Sequence, residues 1–518
     1  MKRQAGTVLP LFSIRTRRDW GIGQITDLPA CAAWLRRAGQ SLLQILPPHE
    51  LSPGETSPYG ALTAFGLDPI YVDVEAVEDL DAAAIAAALG PDGAASLQRV
   101  RAASHVDYAA VRTLKDRALR AAFDRFYERE WSRESPRARR LAEFVQRERA
   151  WLDDLALYVT LRESRSGWGW TTWPEGERDR SDRVLSELRA RDARRILEVA
   201  YGQWTLLGQW DAARARMREV GVELMGDLPF VVCAESADVW SHASQFQVHM
   251  SLGAPPDAYS AEGQDWGLPP YDWLAMEADD LAWVRARTRQ AARLYDRFRL
   301  DHVVGYFRQW VKRKEHGDRG RFDPEGRDAQ WSRGRRVLGA ILDELSRANH
   351  VEPPRALAED LGVIPPFVRD SLTELGMPGY RVLPWEKDDA GFRDPRSFPA
   401  DSIVSLSTHD TAPIVSWWGE LPEGDRAAIG ARAGVDGSMD ERARTLALLR
   451  DLYGASSSLA LVLAQELLGL PERINTPATV GAHNWSWRLP RPIEDLEADP
   501  EVTSRMDAVR SLVDAAGR

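Results

Sequence analysis

Three acidic residues of this chain stand at or just after the end of short apolar segments, and together they could act on a glycosidic bond. They are Asp301 in the segment FRLD, Glu359 in RALAE and Asp410 in THD. Enzymes that break glycosidic bonds use one protonated and one ionised carboxyl group, and the environment of each decides its role. Most of the 78 Asp and Glu residues will be solvated surface groups, so the inference rests on all three acids together.

The residue two positions before Asp301 indicates how that carboxyl group is used. Side chains alternate between the two faces of a strand, so Arg299 and Asp301 point the same way. A guanidinium keeps a neighbouring carboxylate ionised, which is the state that a nucleophile needs. In the second segment, alternation allows only one of Glu359 and Asp360 to face a shared cleft squarely.

A barrel of alternating strands and helices would bring these acids together. In a (β/α)8, or TIM, barrel the C-terminal ends of the strands border one cleft. The chain begins with the required βαβ rhythm, with a strand predicted at 7–12, an amphipathic helix at 27–38 and a second strand at 41–46. Further strands are predicted at 222–227, 298–301, 355–359, 379–383 and 402–407. The predicted fold class is therefore α/β.

Two long insertions interrupt this rhythm. From about 75 to 200 the chain is rich in Ala, Leu, Arg and Glu and has no strand signal, which predicts a helical insertion. The segment 241–278 is too long for an ordinary βα loop and is rich in Gly, Pro and aromatic residues, so we expect a lid over the active site. A final helical stretch is predicted at 440–470.

Four aromatic residues mark the predicted lid: Tyr259, Trp266, Tyr271 and Trp273. Taken singly, each is explained as well by packing as by function. The chain has 20 Trp in 518 residues, however, and the flat apolar face of Trp matches the C–H face of a glucose ring. We therefore expect some of these side chains to line sugar subsites, with Trp266 the best placed.

The composition argues against nucleic acid or an anionic membrane surface as the main partner, whereas binding of a neutral polysaccharide requires no basic field. The formal net charge is −11, and Lys and Arg are interspersed with acids instead of forming a basic field. No run approaches the ~18 apolar residues of a membrane span, and no signal-peptide core precedes Pro10. The two cysteines, Cys31 and Cys233, are too few for a disulfide scaffold or a metal site. We expect a cytoplasmic protein.

A series of short motifs runs in one order along almost the entire chain. They are DWGIG at 19–23, SPYG at 57–60, GDLP at 226–229, SADVW at 236–240, GAPPD at 253–257, GQDWGLPP at 263–270, the three acidic motifs, PGYRVL at 378–383 and NWSWR at 484–488. With these motifs the chain resembles the amylomaltases, or 4-α-glucanotransferases, of glycoside hydrolase family 77, relatives of the α-amylases. The resemblance implies one catalytic barrel over 1–518, without a separate C-terminal β-sandwich.

The resemblance also implies roles for individual residues. Asp301 is similar to the nucleophile of the family, Glu359 to its general acid/base and Asp410 to the carboxylate that stabilises the transition state. The substrate contacts implied in the same way are Tyr59, Asp227, Trp266, Arg299, His409 and Asn484. No metal or cofactor is expected to take part.

The expected activity is that of a hexosyltransferase acting on α-1,4-glucans and maltooligosaccharides. It would move a glucan segment from a donor to the 4-hydroxyl of glucose or another glucan by retaining double displacement. Two alternatives stay open at this point. An amylase-like α-1,4-glucan hydrolase would use the same carboxylates with water, and a catalytically silent glucan-binding protein could have the same barrel. No oligomeric state is predicted.

Overall fold

Eight parallel strands close into a barrel at the centre of the protein. In this computed structural model the described residues are 2–52, 54–256, 263–314, 318–348, 355–389, 391–477, 479 and 481–518. The barrel strands are β1 (Gln4–Val8), β2 (Leu42–Gln44), β3 (Glu223–Leu228), β4 (Arg297–Leu300), β5 (Arg355–Ala358), β6 (Gly379–Val382), β7 (Ser402–Ser405) and β8 (Leu459–Leu463). Each strand pairs with the next in chain order, and β8 pairs with β1. The predicted (β/α)8 fold is confirmed.

The eighth strand lies within 440–470, which we predicted to be helical, and that prediction was wrong. Helix Glu441–Tyr453 occupies the first part of the segment, and β8 follows it. The strand sequence LALVL is buried at every position, because a barrel strand is covered on both faces. Such a run has no periodicity that would distinguish it from a buried helix.

The first strand begins and ends earlier than predicted. We expected a strand at 7–12, whereas β1 ends at Val8 and residues Leu11–Ser13 form a 3-10 turn. Pro10 lies between them and has no N–H group to donate to a strand ladder. The chain therefore leaves the barrel at this proline.

Helices fill the segment between β2 and β3. They are Ala82–Ala102, Tyr108–Arg129, Pro136–Arg147, Arg149–Ser164, Glu175–Arg178, Asp182–Arg191 and Ala193–Glu219. Three of them begin where a side-chain oxygen accepts a hydrogen bond from the first turn, at Asp81, Asp107 and Ser135. No described residue from 75 to 200 lies in a strand, and the last helix runs past that boundary towards β3.

The other helices lie between the barrel strands or after the last of them. They are Leu28–Arg37, Ala237–Ser241, Trp273–Ala278, Ala282–Leu294, Val304–Phe307, Arg327–Arg347, Pro366–Glu374, Ile414–Glu420, Glu423–Ala433, Glu441–Tyr453, Ala464–Leu468, Ile493–Ala498 and Pro500–Ala515. Among the described residues, no helix combines the length and the apolar character needed to cross a membrane.

A small antiparallel sheet, here called the accessory sheet, is built from the segments that follow β3 and β4. Its strands, in order across the sheet, are Gln264–Asp265, Met250–Ala254, Gln309–Arg313 and Arg321–Asp323. The segment 241–278 contributes two of these strands. Of its four aromatic residues, Tyr259 lies outside the described residues, Tyr271 and Trp273 are buried, and Trp266 is half-buried.

Buried contacts join the two ends of the chain. The Arg488 guanidinium donates to the Asp19 carboxylate at 2.7 Å, and both side chains are almost fully enclosed. The N–H of Leu489 donates to the carbonyl of Ser13 at 2.9 Å. Both Arg488 and Asp19 are needed for stability here, because removal of one partner leaves an uncompensated buried charge.

The packing of helix Arg327–Arg347 against Phe307 generates a prediction. A Cβ atom at Gly334 would lie 2.0 Å from Cδ1 of the Phe307 ring, whereas at Gly339 in the same helix it would meet nothing within 4 Å. We expect Gly334→Ala to lower the free energy of unfolding by about 1–3 kcal/mol through overpacking. The control Gly339→Ala should raise it by about 0.5–1 kcal/mol through helix propensity. Thermal unfolding of both variants measures this, and equal effects would contradict the packing.

Candidate active site

The ends of β3, β4 and β5 place three acids and one arginine side by side. Asp227 in β3 is the register partner of Arg299 in β4. Leu300 is the register partner of Ala358 in β5, so the residues that follow, Asp301 and Glu359, emerge next to each other at the C-terminal edge. Neighbouring strands lie about 4.8 Å apart. The barrel therefore delivers both carboxyl groups to one position at the mouth of the cleft.

The Arg299 guanidinium is the centre of this cluster. Its Nη1 lies 2.8 Å from both carboxylate oxygens of Asp227 and 2.9 Å from Oδ1 of Asp301, and its Nη2 lies 3.7 Å from Oε2 of Glu359. The Arg299 side chain is only 8% exposed. A buried guanidinium needs such partners, since an unpaired buried charge is strongly destabilising.

Asp301 projects from this cluster towards the cleft. Its side chain is 23% exposed, whereas that of Asp227 is fully buried. Its second oxygen, Oδ2, accepts a hydrogen bond from the N–H of Phe230 at 3.3 Å. The guanidinium and the amide each hold one oxygen of this carboxyl group and so fix its orientation. Asp301 can therefore present a carboxylate oxygen to a bound molecule.

Glu359 is held in its protonated form. Burial, together with the negative charge of Asp301, raises the pKa of its carboxyl group to about 8, although Arg299 and two backbone amides oppose this shift. Those amides belong to His302, at 2.7 Å from Oε2, and Leu361, at 3.2 Å from Oε1. At neutral pH Glu359 thus carries a proton that it can donate.

The neighbouring acid Asp360 points away from the cluster. Its carboxylate accepts a hydrogen bond from the N–H of Tyr380 at 2.7 Å and pairs with Arg381 at 3.2 Å. It is 2% exposed. Of the two acids that alternation left open, Glu359 is therefore the one beside Arg299, and Asp360 ties the end of β5 to β6.

A second cluster surrounds Asp410. Its Oδ2 lies 3.3 Å from Nε2 of His409, and its Oδ1 accepts a hydrogen bond from the Asn475 amide at 2.7 Å. Burial by itself would raise the pKa of Asp410, but these two partners reverse that effect and hold it well below its usual range. The Asp410 carboxylate lowers the energy of a protonated His409 in return, so that the pKa of His409 is raised in spite of burial.

Tyr59 joins the two clusters. Its hydroxyl donates to Oδ2 of Asp227 at 2.9 Å and lies 3.0 Å from Nε2 of His409. Its ring stacks on the His409 ring at 5.8 Å between centroids. Because of these contacts, the Asp227–Arg299 pair and the His409–Asp410 pair form one continuous polar surface.

The structure leaves two predicted contact residues outside this surface. Among the described contacts Trp266 reaches it through His302, whose ring lies 5.0 Å from the indole in an edge-to-face arrangement. The Asn484 side chain accepts from the N–H of Thr476 and donates to Thr479. Among the described contacts Asn484 reaches none of the carboxylates, and it holds together the loop that carries Asn475.

Sequence reasoning assigned no role to four residues that complete the site: Phe230, His302, Asn475 and Trp485. The amide of Asn475 and the backbone N–H of Phe230 act directly on carboxylates, as described above. Trp485 packs against Tyr59 and His409 at 5.8 and 6.0 Å between ring centroids. His302 directly follows the segment FRLD and Trp485 lies in NWSWR, but nothing in their residue types distinguished them from packing residues.

Trp485 also connects the site with the helical segment. Its backbone is left-handed, with φ +59°, which is uncommon for an aromatic residue. The hydroxyl of Tyr108, at the start of helix Tyr108–Arg129, donates to the Trp485 carbonyl at 2.6 Å. The N–H of Val106 donates to the carbonyl of Ser486 at 2.8 Å. The helices therefore support the aromatic wall behind Tyr59.

No cluster of three or more His, Cys, Asp and Glu side chains in the described ranges is arranged to hold a metal ion. The polar surface combines the carboxyl groups of Asp301 and Asp410, the Glu359 carboxyl group with its raised pKa and a set of polar groups suited to hydroxyls.

Comparison with known proteins agrees with this chemistry. A family model described as 4-alpha-glucanotransferase matches residues 9–494. A 4-alpha-glucanotransferase of Chlamydia muridarum is 31% identical, covering 96% of this chain and 93% of its own. One from Thermus thermophilus is 30% identical, covering 91% and 93%. The solved structure of an amylomaltase from Streptococcus agalactiae in complex with acarbose superposes with a TM-score of 0.84 over 99% of both chains at 24% identity, which supports the fold.

The raised pKa of Glu359 generates a prediction about stability and pH. The folded protein binds the proton of Glu359 up to about pH 8, whereas the unfolded chain releases it near 4.5. The bound proton therefore contributes to the free energy of unfolding at low pH, and this contribution is lost as the pH rises from 4.5 to about 8. Glu359→Gln removes the titrating group, so its melting temperature relative to wild type should rise between pH 5 and pH 9.

Carbon-13 NMR of glutamate-labelled protein provides the direct measurement. Burial raises the pKa of Glu50 to about 8 and that of Glu466 to about 7, so their carboxyl resonances should titrate in both proteins. The resonance that titrates near pH 8 in wild type and is absent from Glu359→Gln belongs to Glu359. A Glu359 resonance that titrates below pH 6 would contradict the assignment of a protonated carboxyl group.

Proposed function

The chain belongs to the 4-alpha-glucanotransferase family, and from this premise we propose that Asp301, Glu359 and Asp410 carry out retaining double displacement on α-1,4-glucans. One observation carries the proposal. Arg299 bridges an outward-facing Asp301 and a Glu359 whose pKa is raised, on adjacent strand ends. Retaining chemistry requires a nucleophile and an acid/base at this close spacing.

In the first step Asp301 attacks the anomeric carbon of the donor. The bond between this carbon and the glycosidic oxygen breaks while a bond to a carboxylate oxygen of Asp301 forms. Glu359 gives its proton to the departing oxygen, so the shortened glucan leaves with a neutral hydroxyl group. Glu359 is left as a carboxylate, which the N–H groups of His302 and Leu361 stabilise.

In the second step the 4-hydroxyl of an acceptor sugar attacks the same carbon from the side that the leaving group vacated. Glu359 takes the proton of this hydroxyl, and the bond to Asp301 breaks. The enzyme returns to its starting state with one α-1,4 bond broken and one formed. Water in place of the acceptor would give hydrolysis.

The surrounding polar groups serve the transition state and the substrate. Asp410 is 42% exposed with its pKa held low, so its negative charge is available to stabilise an oxocarbenium-like ring. His409 and Asp227, linked by the Tyr59 hydroxyl, suit the recognition of sugar hydroxyls. The Tyr59 ring offers a platform beside the reacting sugar.

The two insertions are proposed to serve the same reaction. We propose that residues 1–518 act as one catalytic unit, with 75–200 as a helical insertion and 241–278 as a lid that limits the access of water to the covalent intermediate. Carbohydrate metabolism in the cytoplasm is the setting that suits a neutral glucan substrate. Free cysteines support it, and neither nucleic acid nor a membrane surface is required as a partner.

Incubation with maltotriose tests the proposed reaction. Wild type should produce a ladder of longer and shorter oligosaccharides, whereas a hydrolase would give shorter sugars only and a binding protein no change. Asp301→Asn should lose several orders of magnitude in rate while retaining substrate binding, because covalent catalysis is removed. The exposed control Asp179→Asn should behave like wild type. If Asp301→Asn keeps more than a tenth of the transfer rate, Asp301 is not the nucleophile.

The proposed lid function has its own test. Trp266→Ala removes a stacking face worth about 1–3 kcal/mol of aromatic burial and opens the site to water. We expect a higher KM for maltotriose together with a higher ratio of hydrolysis to transfer. The control Trp331→Ala removes an exposed tryptophan from helix Arg327–Arg347 and should change neither. An unchanged product ladder with a lower melting temperature would make Trp266 a packing residue.

A further inference from the structure

We infer that His302 is a positioning residue that couples the tryptophan of the lid, Trp266, to the acid/base carboxyl group of Glu359. The inference rests on the proposed roles of Glu359 and Trp266 and assigns the link between them. Two separate parts of His302 carry it, the backbone N–H and the imidazole ring.

The backbone of His302 is held in an uncommon conformation. Its φ is +45°, in the left-handed region that few residues other than glycine adopt. This conformation directs the N–H at Oε2 of Glu359, at 2.7 Å. In the same turn the N–H of Val303 donates to the carbonyl of Glu359 at 3.2 Å. Strain of this kind persists only where the surrounding structure enforces it, and it concentrates at functional sites.

The imidazole ring of His302 lies between the lid and the nucleophile. One contact is with Trp266, at 5.0 Å and 84° between ring planes, and another is with Phe230, at 5.5 Å and 61°. The N–H of Phe230 in turn donates to Oδ2 of Asp301. A single residue therefore touches the lid tryptophan, the acid/base and the residue that orients the nucleophile.

The contacts of the ring are aromatic rather than ionic. Burial lowers the pKa of His302 to about 4, so the ring is neutral at physiological pH. The charged groups that bear on it are Asp301, Arg299 and Arg308. A neutral ring packs edge-to-face on the indole with geometric preference but without a charge that salt would screen.

Gly305 provides the space that the ring occupies. A Cβ atom at this position would lie 2.5 Å from Cζ of Phe230 and 2.8 Å from Cδ2 of His302. The N–H of Gly305 also donates to the carbonyl of His302 at 2.8 Å, which closes the turn. The turn 302–305 thus fixes the ring and the amide of His302 together.

In this arrangement a sugar bound at Trp266 acts on Glu359 through His302. A sugar stacked on Trp266 presses the indole against the His302 ring and keeps the amide aimed at Glu359. The amide favours the ionised form of Glu359, which is the form needed when an acceptor is to be deprotonated. Occupation of the lid therefore supports the base form of Glu359 in the transfer step.

A double-mutant cycle tests the contact between the rings. Asn tolerates left-handed backbone, so His302→Asn keeps the turn and removes the ring. We expect the ratio of hydrolysis to transfer on maltotriose to rise several-fold, as in Trp266→Ala. The double variant should be no worse than either single variant, because both remove the same contact. Independent, multiplicative effects of the two changes would overturn the coupling.

A second pair of variants tests the amide. Val is strongly disfavoured at positive φ, so His302→Val moves the N–H away from Glu359. Loss of this donor should raise the pKa of Glu359 and move the alkaline limb of kcat/KM upward by roughly one pH unit. The groups that face Glu359, namely Arg299, Asp301 and Tyr380, stay in place.

The matched control carries the same backbone strain far from the site. Glu134 has φ +48° and is exposed in the helical segment, so Glu134→Val should lower the melting temperature without moving the pH limb. A limb that stays in place in His302→Val would overturn the role of the amide. If wild type forms no ladder of oligosaccharides from maltotriose, the proposed function is refuted. If wild type forms the ladder and the His302 variants behave like wild type, only the coupling is refuted.

Discussion

The buried guanidinium of Arg299 is the interaction on which the active site depends. It lies within 2.9 Å of Asp227 and Asp301 and 3.7 Å from Glu359. Three carboxyl groups at a barrel mouth would repel one another if all were charged, and one cation cannot balance all three. Burial raises the pKa of Glu359, the carboxyl group farthest from the guanidinium, to about 8, and it raises the pKa of Asp227 as well. The protonated form of Glu359 therefore follows from its burial beside a cation that three carboxyl groups share.

In the second cluster a histidine and an amide stabilise the carboxylate. No arginine of the described part of the chain forms an ion pair with the Asp410 carboxylate, and His409 and the Asn475 amide stabilise its charge instead. Tyr59 links this pair with Asp227, and Trp485 closes the aromatic wall behind it. The loops after β2, β7 and β8 and the end of β3 thus depend on each other. A change in any one of them alters the electrostatics of the others.

Much of this arrangement could be predicted from the sequence because strand ends and alternation are local properties. Arg299 and Asp301 share a face for that reason, and their association is observed. The eighth strand could not be predicted, since LALVL has the apolar pattern of either a buried strand or a buried helix. His302 and Trp485 were missed for another reason. Their importance lies in backbone conformation and in contacts with distant residues, and neither leaves a trace in the types of neighbouring residues.

The pairing of the first strand with the last has a consequence for how the protein is made. Gln4 in β1 is the register partner of Leu459 in β8, so the barrel cannot close until the ribosome has released that strand. At about 5–20 residues per second, β1 waits roughly 20–90 s for its partner. The helices between β2 and β3 need only local contacts and can form meanwhile. Asp410 and Asn475 come together late as well, so a nascent chain exposes unpaired strand edges and has no complete active site until β8 and the loop with Asn475 have been synthesised.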